Sequence, residues 1–332
     1  TMYYKNGTKL HIALKDNKGY NLADTPITVT INGVSYNKTT DKNGAVEMNI
    51  YLKPGVYTAT VAYVGNKTIG ANSVDAKITV LPTITGNNIT KMYQNGTHFF
   101  AAFVNGQGKA LANTKVTFNI NGVFYTKQTN DKGIANLNIM LRPGHYILTA
   151  YNPVTGDEQG FSVDVKSLIE ASDLTKYYLN ASRFQATIYN KDGSLAVNKE
   201  VTYNINGVFY TKTTDENGVA SLGISLRPGN YIITTIVDGL AMGNNVTVMP
   251  TLVTKDLDMK YLDGSDFTAQ TLDGQGNPLA NQNVSFNVNG VFYHKVTDKD
   301  GIASLKIRLM SGEYIITSYW NNFQTGNTIK IA

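Results

Sequence analysis

The sequence predicts an all-β protein, and three features support this fold class. Residues that favour strands are abundant, with 38 Thr and 21 Tyr among 332 residues, whereas helix-forming runs of Ala, Glu, Lys and Leu are missing. The stretch NINGVFYTK occurs at 119–127 and again at 204–212, and its Asn-Gly pair between apolar residues is typical of a two-residue hairpin turn. In the next predicted strand Ala135, Leu137 and Ile139 alternate with polar residues, which indicates one buried face and one solvated face.

One unit of sequence occurs four times. The Ile or Val of the hairpin motif recurs at separations of 89, 85 and 83 residues, at Ile31, Ile120, Ile205 and Val288. This period is too long for a solenoid and suits complete β-sandwich domains. The predicted domains, called repeats 1 to 4 below, are 1–82, 83–167, 168–250 and 251–332. We expect the first strand of repeat 1 to be truncated, because its first motif lies so near Thr1.

The order of motifs within a repeat predicts the strand topology. The hairpin is followed by T-D/N-x-x-G and then by L-x-P-G-x-Y, or by L-M-S-G-E-Y in repeat 4. The tyrosine that ends this motif resembles the tyrosine corner of immunoglobulin-like (Ig-like) domains, and it is found at Tyr57, Tyr146, Tyr231 and Tyr314. We therefore expect about seven strands in each repeat with an Ig-like topology.

The hairpin and the joints lead to two further expectations. Hairpin pairing places Ile120 opposite Val123 and Phe118 opposite Tyr125, and we expect this apolar face to be core. Two of the three joints carry a proline, at Pro82 and Pro250, so the linkers are short and stiff. The sequence thus predicts a monomeric rod of four domains.

Composition and motifs argue against several classes of function. The net charge of +5 is spread along the chain without a basic block, which is atypical of nucleic-acid binders. Cysteine is absent and no apolar run is long enough for a membrane span. The four histidines share no repeat position, and no nucleophile elbow, zinc-protease motif or phosphate loop occurs. We expect neither catalysis nor a cofactor.

The T-D-x-x-G turn raises the question of calcium. Its acidic residues resemble half of a calcium loop, but a full site needs about six oxygen ligands. Repeat 2 replaces the aspartate with Asn130. The alternative is a turn capped by an Asx side chain, with glycine at positive φ. The weak calcium candidates are Asp41, Asp215, Asp298 and Asp300.

Every repeat carries a lysine two residues after the hairpin tyrosine, on the predicted apolar face. Such a lysine could form an isopeptide crosslink with a nearby Asn or Asp, but no glutamate recurs in all four repeats to assist the reaction. The alternative is a stem that follows the rim of the core while the ammonium reaches water. The residues are Lys38, Lys127, Lys212 and Lys295.

Aromatic residues occupy the opposite, outward face of the hairpin in three repeats. They could form a repeated stacking surface for sugar or protein, or they could be covered by a loop. Repeat 1 has Ser35 at this position. The candidate binding residues are Phe124, Phe209, Phe292 and His294.

Asn-x-Ser/Thr sequons permit N-glycosylation without demonstrating it, since their number is close to the number expected by chance. They lie at Asn6, Asn37, Asn66, Asn88, Asn95, Asn180, Asn245 and Asn283.

Taken together, N-G-V-x-Y-x-K, T-D-x-N-G-x-A and L-x-P-G-x-Y resemble the tandem Ig-like repeats of adhesin-like surface proteins of methanogenic archaea. They are more distantly similar to bacterial invasin-type repeats. The resemblance implies an extracellular, cell-surface protein and a chain that is an excerpt of a longer secreted precursor. The implied partner is a surface protein or glycan of another cell.

The sequence therefore predicts a non-catalytic adhesin segment whose repeats form a stalk or an adhesive surface. One alternative is carbohydrate recognition by the outward aromatics of each repeat. Another is a purely structural spacer, or a segment of a viral fibre, with the adhesive tip elsewhere.

Overall fold

The structure is a computed structural model that describes residues 1–332, and it is all-β, without a helix. The chain forms two compact units, residues 1–167 and residues 168–332, and each unit contains two of the repeats. Because there is no helix, no helical segment is available to cross a membrane. Every repeat contains one five-stranded sheet and one smaller sheet.

In the first unit, repeat 1 has a five-stranded sheet of order β1-β7-β6-β3-β4 and a two-stranded sheet, β2-β5. Its strands are β1 (Met2–Tyr3), β2 (Lys9–Ala13), β3 (Pro26–Ile31), β4 (Val34–Thr39), β5 (Ala45–Asn49), β6 (Gly55–Tyr63) and β7 (Asn72–Leu81). Repeat 2 has a five-stranded sheet of order β9-β15-β14-β11-β12 and a three-stranded sheet, β8-β10-β13. Its strands are β8 (Ile84–Gly86), β9 (Ile89–Met92), β10 (His98–Phe103), β11 (Lys115–Ile120), β12 (Val123–Gln128), β13 (Ile134–Asn138), β14 (Gly144–Tyr151) and β15 (Glu158–Lys166).

In the second unit, both repeats have the same order as repeat 2. Repeat 3 has the sheets β17-β23-β22-β19-β20 and β16-β18-β21. Its strands are β16 (Ile169–Ala171), β17 (Leu174–Tyr177), β18 (Arg183–Ile188), β19 (Glu200–Ile205), β20 (Val208–Thr213), β21 (Val219–Gly223), β22 (Gly229–Val237) and β23 (Leu240–Met249). Repeat 4 has the sheets β25-β31-β30-β27-β28 and β24-β26-β29. Its strands are β24 (Leu252–Thr254), β25 (Leu257–Met259), β26 (Asp266–Thr271), β27 (Asn283–Val288), β28 (Val291–Val296), β29 (Ile302–Lys306), β30 (Gly312–Trp320) and β31 (Phe323–Ile331).

The first two strands of repeats 2 to 4 belong to different sheets. In repeat 2, β8 pairs antiparallel with β10 in the small sheet, and β9 then pairs parallel with β15 in the large sheet. Repeats 3 and 4 do the same, whereas repeat 1 has only the second of these strands, β1, which pairs parallel with β7. The chain thus connects both layers of the sandwich within a few residues, and this connection gives an Ig-like arrangement of sheets.

The core of repeats 2 to 4 is centred on an aromatic pair that joins the two sheets. In repeat 2, Phe99 of the small sheet and Phe118 of the large sheet are fully buried, with ring centroids 5.7 Å apart at 85°. The edge-to-face geometry places the positive edge of one ring on the negative face of the other. The equivalent pairs are Phe184 with Tyr203 and Phe267 with Phe286. Repeat 1 has Val29 in place of Phe118, and its core is aliphatic at this point.

The predicted Asn-Gly hairpin is confirmed in all four repeats. In repeat 2, Asn121 and Gly122 have φ of 53° and 76°, as a type I′ turn requires. The register pairs Ile120 with Val123 and Phe118 with Tyr125.

The expectation that the whole apolar face of the hairpin is core is wrong for its second strand. Val123 is 49 % exposed, and the equivalent valines are similar, although Ile120 and Phe118 are fully buried. The cause is the unequal size of the sheets, because β12 is the edge strand of a five-stranded sheet that faces only three strands. The end of the edge strand extends beyond the opposing layer, so Val123 is open to solvent, whereas Tyr125 is half-buried against the core. The other half-exposed valines are Val34, Val208 and Val291.

The predicted tyrosine corner is also confirmed. The Tyr146 hydroxyl donates to the Arg142 carbonyl at 2.9 Å, four residues upstream, which fixes the start of β14. The other three tyrosines make the same bond at 2.7–3.0 Å, namely Tyr57 to Lys53, Tyr231 to Arg227 and Tyr314 to Met310.

The T-D-x-x-G motif fastens three chain segments at one end of each sandwich. In repeat 2 the buried Thr129 hydroxyl donates to the Leu111 carbonyl at 2.5 Å and accepts from the Thr114 amide at 2.9 Å. The Gly133 carbonyl accepts a hydrogen bond from the Phe103 amide at 2.9 Å, and Gly133 has a φ of 73°. The same threonine contacts occur at Thr40, Thr214 and Thr297, each 2 % exposed.

A pair of glycine substitutions, one in this motif and one in the hairpin turn, separates backbone strain from steric conflict. A Cβ added at Gly133 would lie 2.6 Å from the Phe103 carbonyl oxygen, whereas a Cβ at Gly122 would meet nothing within 4 Å. Both glycines have positive φ, so each Ala substitution costs about 1–2 kcal/mol of strain. We expect Gly133→Ala to destabilise repeat 2 clearly more than Gly122→Ala. Hydrogen exchange of peptides from β10 and β13, followed by mass spectrometry, measures the difference, and equal protection in the two variants would contradict it.

Candidate functional site

The outward aromatics are placed where the hairpin pattern puts them, on the outer face of the edge strands. Phe124, Phe209 and Phe292 are 66 %, 65 % and 56 % exposed. Phe124 lies 6.2 Å from the Tyr151 ring, and Phe292 has the same relation to Tyr319 at 6.0 Å. A small aromatic patch on repeats 2 and 4 is therefore open to solvent.

The structure does not gather these aromatics into one site. Phe292 and His294 share strand β28 and its outer face, and His294 Nδ1 lies 2.8 Å from Ser285 Oγ. Phe124 and Phe209 belong to other repeats. Binding of sugar or protein by these side chains stays a prediction.

Three of the four candidate calcium aspartates accept hydrogen bonds within their turns, whereas the Asp300 carboxylate only lies 3.9 Å from the Lys299 ammonium. The Asp215 carboxylate accepts the amides of Asn217 and Val219, both at 2.9 Å. Asp41 and Asp298 accept the equivalent pairs. Asn130 accepts the same two bonds in repeat 2, so the turn does not require a charge. Nowhere do three His, Asp or Glu side chains converge as a metal site would require, and calcium binding stays a prediction.

The hairpin lysines lie on the open edge strand. Lys127 pairs in register with the buried Val116, yet Lys127 itself is exposed, like Lys38 and Lys295. Lys212 is half-buried. None of the four forms an ion pair, so no carboxylate lies within 4.0 Å of their ammonium groups. The isopeptide crosslink stays a prediction.

The sequons differ in whether the side-chain nitrogen that would carry a glycan already donates a hydrogen bond within the protein. Asn6 Nδ2 donates to the Gly106 carbonyl at 2.7 Å and Asn180 Nδ2 donates to the Gly274 carbonyl at 2.5 Å. Asn245 Nδ2 donates to Asp173 at 2.9 Å. Asn283, in contrast, is exposed and makes no side-chain hydrogen bond. The side-chain oxygens of four others accept hydrogen bonds within the protein, namely Asn37, Asn66, Asn88 and Asn95.

Two buried lysines escaped the sequence reasoning. Lys91 on β9 is 4 % exposed, and its ammonium donates to the carbonyls of Ile139 at 2.7 Å and Thr97 at 3.0 Å. Lys176 on β17 is 5 % exposed and bonds Ile224 and Ser182 in the same way. Burial lowers the pKa of both lysines below 10.5, because the charged form loses its hydration.

A signal for these lysines is present in the comparison of repeats. Lys91 pairs in register with Val165, and Lys176 pairs with Val248. The residues at the same register position in repeats 1 and 4 are Met2 and Met259, which are both buried. A position that alternates between Lys and Met is one whose aliphatic stem is buried.

Repeat 2 also has a buried polar cluster beside its first strand. The Asp157 carboxylate accepts the Thr83 amide at 2.6 Å, and Asn152 Nδ2 donates to the carbonyls of Val104 and Thr83 at 2.9 and 3.2 Å. Thr155 contacts the Thr83 hydroxyl at 2.7 Å. These bonds hold the loop between β14 and β15 against the start of the repeat, and they account for its polar groups without a ligand.

No protein-family model matches the chain. The chain is 24 % identical over 361 aligned residues to the inverse autotransporter adhesin YeeJ of Escherichia coli strain K12. The alignment covers 90 % of the chain but only 15 % of the length of that adhesin. The chain is thus distantly homologous to a bacterial adhesin and represents a small part of its length.

Solved structures of low similarity include several tandem Ig-like proteins. The bacterial integrin-binding protein invasin is 14 % identical, with 99 % of this chain and 77 % of invasin covered and a TM-score of 0.24. A Ca²⁺-stabilised adhesin with which an Antarctic bacterium binds ice is 16 % identical, with 100 % and 96 % covered and a TM-score of 0.20. The titin I9–I11 tandem is 15 % identical, with 75 % and 99 % covered and a TM-score of 0.29. These TM-scores are too low for a function to be transferred.

The buried lysines predict a distinct dependence of stability on pH. Their pKa is lower in the folded state than in the unfolded state, so the unfolded state binds more protons as the pH approaches 10.5. This difference makes the free energy of unfolding rise with pH in that window. Lys91→Met with Lys176→Met removes this contribution, and we expect the rise to be smaller in the double variant. Denaturant midpoints from neutral pH upwards measure it. The exposed Lys127→Met should keep the rise, and a rise of equal size in the double variant would contradict the prediction.

The turn aspartates predict tolerance of a neutral side chain. Because Asn130 already makes the bonds of this turn, we expect Asp215→Asn to preserve the melting temperature, whereas Asp215→Ala loses two acceptor bonds of about 1 kcal/mol each. Melting curves with Ca²⁺ and with a chelator provide the second measurement. A Ca²⁺-dependent rise in melting temperature that disappears in Asp215→Asn would instead identify a calcium site.

Proposed function

We propose that this chain is a non-catalytic segment of a cell-surface adhesin, exposed outside the cell, whose repeats present an adhesive surface or form the stalk beneath it. The observation that carries the proposal is the similarity to a bacterial adhesin along 90 % of the chain. The fold supports it, because four Ig-like sandwiches place many solvent-exposed edge strands and loops on small, rigid scaffolds.

The proposal includes the division into four domains at 1–82, 83–167, 168–250 and 251–332. It is supported by the strand order, since each of these ranges contains one large sheet and one small sheet of its own. The predicted monomeric rod and the specific likeness to surface proteins of methanogenic archaea belong to the same proposal. A partner on another cell, either a protein or a glycan, follows from the adhesive role.

Carbohydrate recognition by the outward aromatics is a second candidate, favoured by one observation. Three phenylalanines at equivalent positions are more than half exposed, although burying an aromatic ring is strongly favourable. An exposed ring at a repeated position is available to stack on a ligand.

Beads coated with the 332-residue chain test the adhesive role. We expect the beads to attach to at least one of a panel of bacterial, archaeal and animal cells several-fold better than beads coated with a tandem of titin Ig domains. The titin control has a related fold and removes effects of bead charge and coating. Attachment no better than this control on every cell type would overturn the adhesive surface.

A further inference from the structure

A cleft lined by residues 178–321 lies where repeat 3 meets repeat 4. Its volume is about 670 Å³, which is in the range of roughly 300–1,000 Å³ typical of small-molecule sites. It lies apart from the hairpin phenylalanines, because none of them contributes to its wall. Its walls come from the first turn of repeat 3, the first loops of repeat 4 and the turn between β30 and β31.

Direct contacts hold the two sides of this cleft together. Asn180 of repeat 3 donates its side-chain amide to the carbonyl of Gly274 in repeat 4 at 2.5 Å. The Tyr177 ring packs directly on Gly276, where an added Cβ would lie 2.5 Å from ring atoms. The rings of Tyr178 and Phe323 lie 5.8 Å apart across the same junction. The cleft is therefore formed before any ligand arrives, which lowers the entropic cost of binding.

The lining combines aromatic rings with amides that have no partner in the protein. Trp320, the only tryptophan of the chain, and Tyr178 are half-buried in the wall. Asn281, Asn283 and Asn321 line the cleft, are exposed, and make no side-chain hydrogen bond. Each amide offers two donors and one acceptor group to a ligand.

The charges of the lining indicate an uncharged ligand. No lysine or arginine contributes to the wall, and Asp273 is its only acidic residue. The Asp273 carboxylate already accepts hydrogen bonds from the amides of Gln275 and Asn277 and from the Asn277 side chain. An anion would find no counter-charge here, and a cation would meet a single carboxylate whose two oxygens already accept hydrogen bonds.

We propose that this cleft binds an uncharged oligosaccharide. Hydroxyl groups, each both donor and acceptor, match the free amides. The C–H face of a sugar ring carries slight positive charge and is attracted to the negative faces of Trp320 and Tyr178. The inference rests on the adhesive role proposed above, since it names the chemistry of the surface that is bound.

The corresponding place in repeat 2 lacks this chemistry and serves as an internal comparison. Asn152, directly after β14, occupies the position that Trp320 has at the end of β30. The side-chain amide of Asn152 already donates hydrogen bonds to the carbonyls of Val104 and Thr83. Lys115 occupies the strand position of Asn283. The Trp320 ring and the free amide of Asn283 thus have no equivalent in repeat 2.

The single tryptophan makes binding measurable on the intact protein. The 332-residue chain, produced in a host without N-glycosylation, is titrated with linear hexamers of glucose, mannose, xylose and N-acetylglucosamine while Trp320 emission is followed. We expect a saturable change with at least one neutral hexamer and little change with hexagalacturonate. No saturable response to any neutral hexamer, or a preference for hexagalacturonate or for an extended peptide, would overturn the proposal.

Variants locate the site and separate it from the alternatives. Asn283→Ala removes an exposed strand-end amide that makes no hydrogen bond within the protein, and we expect affinity to fall about tenfold with an unchanged melting temperature. Trp320→Asn copies repeat 2 and should abolish binding in calorimetry. Phe124→Ala with Phe209→Ala should leave affinity unchanged. If this double variant loses binding while the cleft variants retain it, the outward aromatics are the site.

The fluorescence titration also separates this proposal from the adhesive role, because it needs no cells. Failed bead adhesion with intact sugar binding would overturn the adhesive role and not the cleft.

Discussion

The architecture of each repeat depends on satisfying buried polar groups where the chain crosses from one sheet to the other. The threonine of T-D-x-x-G is the group on which this crossing depends, because its hydroxyl both donates to one segment and accepts from another while almost entirely buried. An unsatisfied buried hydroxyl or amide costs about 1–3 kcal/mol. The neighbouring glycine brings the backbone of the turn into contact with the end of β10, where no side chain fits. Together the threonine and the glycine close one end of the sandwich.

Much of the fold could be predicted from the sequence because its strongest signals are local. The Asn-Gly turn, the alternation in β13 and the tyrosine that opens β14 each specify their structure within a few residues. Comparison of the repeats supplied the rest, since a position that is the same in four copies reports a need of the module. The T-D-x-x-G motif is recognisable in this way. The structural role of its threonine is not, because the two hydrogen-bond partners of the threonine lie 15 and 18 residues away.

The features that escaped prediction depend on the number of strands in each sheet or on contacts between distant segments. Local pairing shows which residues of the hairpin share a face, but not that the opposing sheet ends before reaching Val123. The acceptors of the Lys91 ammonium, the carbonyls of Ile139 and Thr97, are backbone groups that leave no mark in the sequence. The cleft beside Trp320 combines the turn after β17 with loops about 100 residues later, and nothing local connects them.

The parallel pairing between a strand near the start of a repeat and its last strand has a mechanical consequence. In repeat 2 the chain enters along β8, which pairs with β10, continues along β9 and leaves along β15; four residue pairs join β9 and β15 side by side in the same direction. Once β8 has separated from β10, a force that pulls the two ends of the repeat apart slides β9 along β15. Sliding loads the hydrogen bonds of the pair together, whereas peeling an antiparallel hairpin from its end would break them one at a time. This parallel pair of strands therefore resists tension along the chain before the load reaches the rest of the core.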